Sequence, residues 1–422
     1  MSRTIAVEHL ARVEGHGGID VEWDGDGRIA VRFRIFEGAR LLERLVRGRS
    51  YQDVPQILSR ICAICSAAHA LTSIKAIENA FEVEVSPQTN LLRELMFLGE
   101  NIESHALHLF LLALPDYLGY SGAPALSADR PDVVKAGLRL KKLGNTIQEF
   151  IGGRAIHPVN AIPGGFGRTP DEEHLIALRR DLMEADADCA AAIDLFVELP
   201  PADFCRSQTA FVAVQTPGDY GYYAGDQIMV TSDGIAVSAL ASGYGTLIHE
   251  AAAPHSHAKH SSYCGQPLMT GALARLTTNS QQAPKLMEEF GLAIPSDNPM
   301  DNNKAQLVEL VGDVGRALQI VERLLASGRA EEAPVSVQPR AGCGTAATEA
   351  PRGLLIHSYM FDEQGRIVAA DVVTPTAINA ASVERSLHRT VEQAAATDHA
   401  TLVKRLEMIA RAYDPCISCS VH

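Results

Sequence analysis

The sequence predicts a mainly α, α+β fold: one large domain spanning 1–422, with a central bundle of long helices and small β-sheets at its periphery. Apolar residues recur at three-and-four spacing over several long stretches, the mark of helices with a buried stripe. Short β-branched alternations appear only near the N-terminus and again late in the chain. No internal repeat, low-complexity tract or linker divides the sequence.

Taken in order, residues 1–36 read as a β-hairpin region. Gly17 to Trp23 and Ile29 to Phe36 alternate around the turn-rich Asp24-Gly25-Asp26-Gly27. Residues 51–330 read as the helical core. Its first helical pattern runs from Val54 to Phe81, and a second begins at Ser86-Pro87 and carries Leu91, Leu92, Leu95, Leu98, Ile102 and Leu109. Further helices are expected from Pro131 to Ile151 and from Thr169, where Thr-Pro-Asp-Glu-Glu supplies a cap, a first-turn proline and acids at the positive end of the dipole. From Asp301 to Leu325, Leu307, Leu310, Val314, Leu318 and Val321 form one continuous stripe. Strand-like material returns in a small sheet over 352–373, and 377–422 holds C-terminal helices and a cysteine-bearing tail.

Composition narrows the function. A formal net charge of -14 argues against a phosphate-binding surface, because nucleic-acid affinity rests on clustered Lys and Arg. No apolar run is long enough for a membrane span, and the first residues lack the apolar core of a signal peptide. Eight cysteines are too few for a disulfide framework in 422 residues. Four of them form two C-x-x-C units, Cys62/Cys65 and Cys416/Cys419, while Cys189, Cys205, Cys264 and Cys343 are isolated and expected to be small buried hydrophobes. Two such pairs offer four thiolates, the preference of soft and borderline metals. A structural zinc site remains open on spacing, although zinc ribbons place their pairs within a few tens of residues. Here the pairs lie at opposite ends of the chain, so a whole domain must fold around them.

The flanking residues carry a resemblance. Arg12-Val-Glu-Gly-His16, Arg60-Ile-Cys-Ala-Ile-Cys-Ser-Ala-Ala-His69, Glu349-Ala-Pro-Arg-Gly353 and Asp414-Pro-Cys-Ile-Ser-Cys-Ser-Val-His422 together resemble, in order and across essentially the whole chain, the large catalytic subunit of nickel-iron hydrogenases. The resemblance implies that family's large-subunit fold and the reversible splitting of dihydrogen into protons and electrons. It implies that Cys62 and Cys416 are terminal nickel ligands, and that Cys65 and Cys419 bridge nickel to an iron carrying carbon monoxide and cyanide. Glu14 matches the family's proton-relay glutamate, His69 a histidine that hydrogen-bonds a bridging thiolate, and Arg352 an arginine that donates to an iron-bound cyanide. Pro375 and Thr376 resemble a pair lining the diatomic ligands. A structural magnesium near the C-terminus is implied, held by Glu43, His422 and the carbonyl of Val372. Without the resemblance, Glu14 reads as a turn-stabilising carboxylate, His69 as a satisfied core histidine and Arg352 as one half of a salt bridge.

Further expectations follow from the resemblance. Electrons leave through iron-sulfur clusters on a separate small subunit, because the remaining cysteines form no ferredoxin-like run. The chain, ending at His422, looks like a mature, metal-loaded form. Glu100 to Pro115 and His157 to Gly165 are closest to cytoplasmic, soluble-type members, although related exported enzymes carry their signal on the small subunit. Ala63 stands where the family usually has glycine, and its methyl is expected to crowd the metal pocket. A scaffold relative such as the quinone-site subunit of respiratory NADH dehydrogenase would have lost the cysteines. Two other signals are set aside. His249, His255, His257, His260 and Cys264 read as a polar or subunit-facing loop, and Gly342-Cys-Gly344-Thr-Ala-Ala347 has no βαβ context for a dinucleotide site.

Overall fold

A computed structural model describes residues 3–215, 220–279, 287, 288, 290–328, 331–394 and 397–422. Residues 216–219, 280–286, 289, 329, 330, 395 and 396, which fall inside the expected helical core and C-terminal segment, lie outside the described residues, as do residues 1 and 2.

The centre of the molecule is the Pro87–Ala106 helix, buried continuously from Leu92 to Ala106. Ser86 caps it by accepting the Thr89 amide, and Pro87 occupies the first turn, where its missing N–H costs nothing. Against it lie the Pro131–Gly152 and Asp301–Ser327 helices, and Glu172–Val197 packs outside these. Gly99 and Gly144 mark the closest crossing: a Cβ on Gly144 would stand 2.4 Å from the Gly99 carbonyl oxygen. The helix continues into a π-helical stretch, Leu107–Ala113. The Ser66–Phe81 helix is buried nearly all round, which marks a helix threaded through the core.

Sheets lie around this bundle. Arg3–Val7, Gly17–Trp23 and Ile29–Ile35 form an antiparallel sheet, and Gly342–Ala350, Gly353–Phe361 and Ile367–Val373 form a second. The latter lies on the Ser66–Phe81 helix. Gly344 permits that approach, since a Cβ there would be 2.1 Å from the Ala76 carbonyl oxygen.

Some expectations need correction. The predicted helix over 54–81 is broken: Val54–Leu58 is helical, Ser59–Ile61 tightens into a 3-10 turn, and Cys62 is extended (φ -145°, ψ 148°). The helix expected from Thr169 is capped by Asp171, which accepts the His174 amide. The stretch 51–330 also contains a six-stranded sheet, ordered Ile235–Leu240, Gln227–Ser232, Ala210–Gln215, Gln266–Met269, Lys259–Tyr263, His249–Ala252. Its central strand Ala210–Gln215 is a continuous apolar run almost wholly buried, which lacks the alternation that betrays a half-buried strand. The late sheet begins at Gly342, ten residues before the expected 352, because its first strand is built of Gly, Ala and Thr with little strand signature.

Gly344→Ala is expected to cost about 1–3 kcal/mol through overpacking against the Ser66–Phe81 helix. Differential scanning calorimetry should show a lowered unfolding midpoint, and an unchanged midpoint would contradict the close approach.

Candidate metal centre

Two local devices present the cysteines. At the N-terminal pair, extended Cys62 turns its sulfur back so that the amides of Ile64 and Cys65 donate to it, each at 3.3 Å. Cys65 stands at the N-cap of the Ser66–Phe81 helix, where the positive end of the helix dipole favours a thiolate. Its own side chain does not cap that helix. Glu100 does so, accepting from the Ala67 amide at 2.7 Å and the Ala68 amide at 2.9 Å. Burial pushes the Glu100 carboxyl well above the ordinary range, with the two amides pulling the other way.

At the C-terminal pair, the His399–Ala412 helix stops, Asp414 adopts a left-handed conformation (φ 49°), and the tail runs beside Glu14 as an isolated parallel bridge, Glu14 to Cys416. Gly15 makes this approach feasible: it has φ 86°, and a Cβ would sit 2.8 Å from the Ile417 Cβ. Residues Ile417–Val421 then form a 3-10 turn that carries Cys419.

The four sulfurs converge. Cys62 and Cys416 approach to 3.2 Å, Cys65 and Cys419 to 3.3 Å, and Cys416 and Cys419 to 2.7 Å. All four are buried, and their sulfurs lie within 4.8 Å of one another. Burial acts to raise the Cys62 thiol, but hydrogen bonds from the other three sulfurs and the nearby Arg352 charge outweigh it and hold Cys62 well below its usual value. Burial and the Cys62 sulfur push Cys416 up to about 11 against Cys419 and Cys65, while burial and all three neighbouring sulfurs push Cys419 well above normal. Four thiolates so crowded repel one another unless cations sit among them.

Comparison with known proteins agrees with this arrangement. A family model described as nickel-dependent hydrogenase matches residues 40–146 and 213–422. The chain belongs to the nickel-dependent hydrogenase family. It is 38% identical over 423 residues to the alpha chain of sulfhydrogenase 1 of Pyrococcus furiosus, covering 99% of this chain and 97% of that one. With the F420-non-reducing hydrogenase vhu of Methanocaldococcus jannaschii it shares 32% identity over 414 residues, covering 92% of this chain and 98% of the matching one. Among solved structures, an NAD+-reducing [NiFe]-hydrogenase in the H2-reduced state superposes with a TM-score of 0.88 at 28% identity, over 100% of this chain and 99% of that one.

Around the sulfurs of this hydrogenase stand the other residues singled out in sequence. Arg352 is buried, donates through Nε to Asp414 at 3.1 Å, and leaves Nη1 without a partner among the described residues. Burial opposes its charge, but Asp414 and the nearby cysteines outweigh that and raise it. His69 meets His357 at 3.1 Å through Nδ1, and its Nε2 has no partner among the described residues. Burial lowers the His69 pKa to about 3, so the ring is neutral. Thr376 uses its hydroxyl oxygen to accept the Cys416 amide at 2.9 Å, and Pro375 opens the Pro375–Gln393 helix beside it. Glu14 accepts from the Ser418 amide at 3.0 Å and the Ser418 hydroxyl at 2.5 Å, between the two tail cysteines.

Glu43 accepts the Val372 amide at 2.8 Å and lies 3.4 Å from His422 Nε2. The Val372 carbonyl faces His422 as well, so all three expected residues meet. Ala63, between the two N-terminal cysteines, is exposed in this chain. Of the isolated cysteines, Cys189 and Cys205 are buried as expected, whereas Cys264 and Cys343 are exposed.

Sequence reasoning missed several residues that hold the site. Arg40 donates to the carbonyls of Arg60, Ile61 and Ser418, tying both cysteine loops to one guanidinium. His357 passes its hydrogen bond on to Tyr359 at 2.5 Å, which donates to Ser73. Glu100 and Asp414 complete the set. Only Asp414 had a sequence signal, its place inside the terminal motif.

Glu100→Gln replaces one carboxylate oxygen by an amide that cannot accept, leaving a buried helix-start N–H unmet at a cost of about 1–3 kcal/mol. The expected result is a lower unfolding midpoint together with reduced nickel content by elemental analysis. Wild-type values for both would show that the cap does not position Cys65.

Proposed function

We propose that this hydrogenase chain would hold a nickel–iron pair among Cys62, Cys65, Cys416 and Cys419, with Cys62 and Cys416 serving nickel alone and Cys65 and Cys419 serving both metals. The observation that carries this reading is the convergence of four buried sulfurs from the two ends of the chain. The donor set suits the group, since thiolates are soft ligands that tolerate a metal changing oxidation state. The surroundings suit iron-bound carbon monoxide and cyanide. Arg352 Nη1, close to the cysteines, is a buried donor without a partner among the described residues, and a buried donor without an acceptor is costly.

A bound nickel–iron pair would supply a Lewis-acidic, redox-active centre for splitting dihydrogen into a proton and a hydride equivalent and for passing on that hydride's two electrons. The protein's task is then to move protons and exclude water. A terminal thiolate, Cys416 or Cys62, accepts the first proton. Glu14 receives it next, held beside Cys416 by its backbone bridge and by the two Ser418 hydrogen bonds, and passes it outward from a half-buried position. Arg352, fixed by Asp414, keeps a positive charge next to the thiolates, and neutral His69 is oriented by His357. Glu43, His422 and the Val372 carbonyl form a mixed oxygen and nitrogen set for magnesium, which retains several waters. This cation would fasten the terminal residue next to the Cys419 turn.

Electrons leave through a partner. Among the described residues the other cysteines gather into no cluster, so a small subunit bearing iron-sulfur clusters is required, as the subunit names of the relatives suggest. No described helix is long and apolar enough to cross a membrane. We place the enzyme in the cytoplasm on its likeness to soluble-type members.

Infrared spectroscopy of the purified enzyme should show the stretches of iron-bound carbon monoxide and cyanide, and zinc alone without such bands would overturn the reading. Glu14→Gln should leave those bands and the metal content intact while lowering hydrogen oxidation by roughly 100-fold or more, the usual contribution of a positioned proton acceptor. Retention of full activity would remove Glu14 from the proton route.

A further inference from the structure

The histidine-rich segment set aside in sequence looks different once folded. Of its five residues, His249 lies in an edge strand, His257 donates through Nδ1 to the Glu37 carbonyl (2.9 Å), and Cys264 sits in an exposed turn with φ 47°. His255 and His260 instead come together, with ring centroids 5.5 Å apart and planes at 77°. A third residue with no sequence link to them, Glu384 on the Pro375–Gln393 helix, joins the pair. Its Oε2 lies 2.7 Å from His255 Nε2, and one potential ligand atom from each of the three residues falls within 4.8 Å of the others.

We infer that His255, His260 and Glu384 form a second metal site, for a divalent cation of the zinc class, separate from the thiolate centre. Two imidazoles and one carboxylate are a donor set that zinc accepts, leaving a fourth position for water. A plain His255–Glu384 ion pair accounts for two of the residues but not the third. His260 Nε2 is buried and has no hydrogen-bond partner among the described residues, which a metal ligand would explain. The group is half-buried, with both His255 and Glu384 side chains 24% exposed, so an ion can enter from solvent. Burial also lowers the His260 pKa, keeping its ring in the neutral form that ligates.

The location gives the site a structural consequence. Glu384 Oε2 also accepts the Phe33 amide at 2.9 Å, and His260 belongs to the Lys259–Tyr263 strand. A cation here ties the N-terminal sheet, the six-stranded sheet and the Pro375–Gln393 helix to one point. The first turn of that helix, about two turns below Glu384, carries the Thr376 oxygen that holds the Cys416 amide. The ion would act as a clamp on the scaffold, with no part in the chemistry.

The test uses the holoenzyme, whose cysteines are already occupied, stripped of loose metal with a mild chelator and then titrated with zinc chloride. Wild type should take up one zinc per chain with nickel and iron unchanged, and zinc-edge X-ray absorption should show two imidazole ligands. H260Q and E384Q should each bind that zinc at least about ten-fold more weakly while keeping their nickel and iron, and should lose the rise in unfolding midpoint that zinc gives the wild type. If H260Q fails to fold, E384Q and H255Q carry the test. No zinc uptake above background, or equal uptake by wild type and variants, would overturn the inference.

Discussion

Four sulfur atoms buried within 4.8 Å of one another form the contact on which the rest of this structure depends. Two come from a loop before a core helix and two from the last residues of the chain, 354 positions away in both cross-pairs. Closing such a loop carries an entropic cost that rises only slowly with length, so distance along the sequence is no obstacle. The obstacle is local. Four thiolates in a dry interior repel one another and resist ionising, and only fixed backbone and bound cations hold them together. The fold therefore concentrates its constraints here: the Glu100 cap beneath Cys65, the Arg40 guanidinium across both loops, and Gly15 where the tail presses on the Glu14 segment.

Buried charge forms a second layer. Arg411 meets Asp116 through two hydrogen bonds at 2.7 and 3.1 Å, and Arg12 reaches the same carboxylate. The segment leading to Glu14 and the helix leading to Cys416 are thus fastened to one acid. Asp414 takes Arg352 on one oxygen and Gln306 on the other, and Gln306 is bonded in turn to His108. Deeper still, Arg275 binds Glu309 and Glu349, with His105 on the same Glu309. Such networks add little net stability compared with apolar packing, but breaking one leaves a buried charge without a partner. In this molecule they fix the geometry of the ends of the chain, where the sulfurs are.

Much of this is legible in the sequence, for physical reasons that differ by element. The Pro131–Gly152 and Asp301–Ser327 helices are amphipathic and long, so their period declares them, and the hairpin Gly17–Trp23/Ile29–Ile35 alternates around an Asp-Gly turn. The almost wholly buried strand Ala210–Gln215 and the Gly/Ala-rich strand Gly342–Ala350 have no polar face to set a period, and so leave no pattern to read. The break at Cys62 is hidden because helix-forming residues surround it on both sides. At the site, the cysteines, Glu14, His69, Arg352 and His422 stand in recognisable motifs, whereas Glu43 is expected only from its spacing before Cys62. Arg40, Glu100 and His357 do not, since their roles exist only across contacts such as Glu100 to Ala67 and His357 to His69. Likewise, the grouping of His255 and His260 with Glu384 is invisible until a helix from elsewhere in the chain supplies the carboxylate.

The central claim is that the four cysteines share one nickel with an iron beside it. Nickel-edge X-ray absorption on the purified enzyme tests it most directly. The expected result is a coordination shell of four sulfur atoms around nickel and a single iron scatterer close by. A shell of nitrogen and oxygen ligands, or nickel with no iron neighbour, would contradict it.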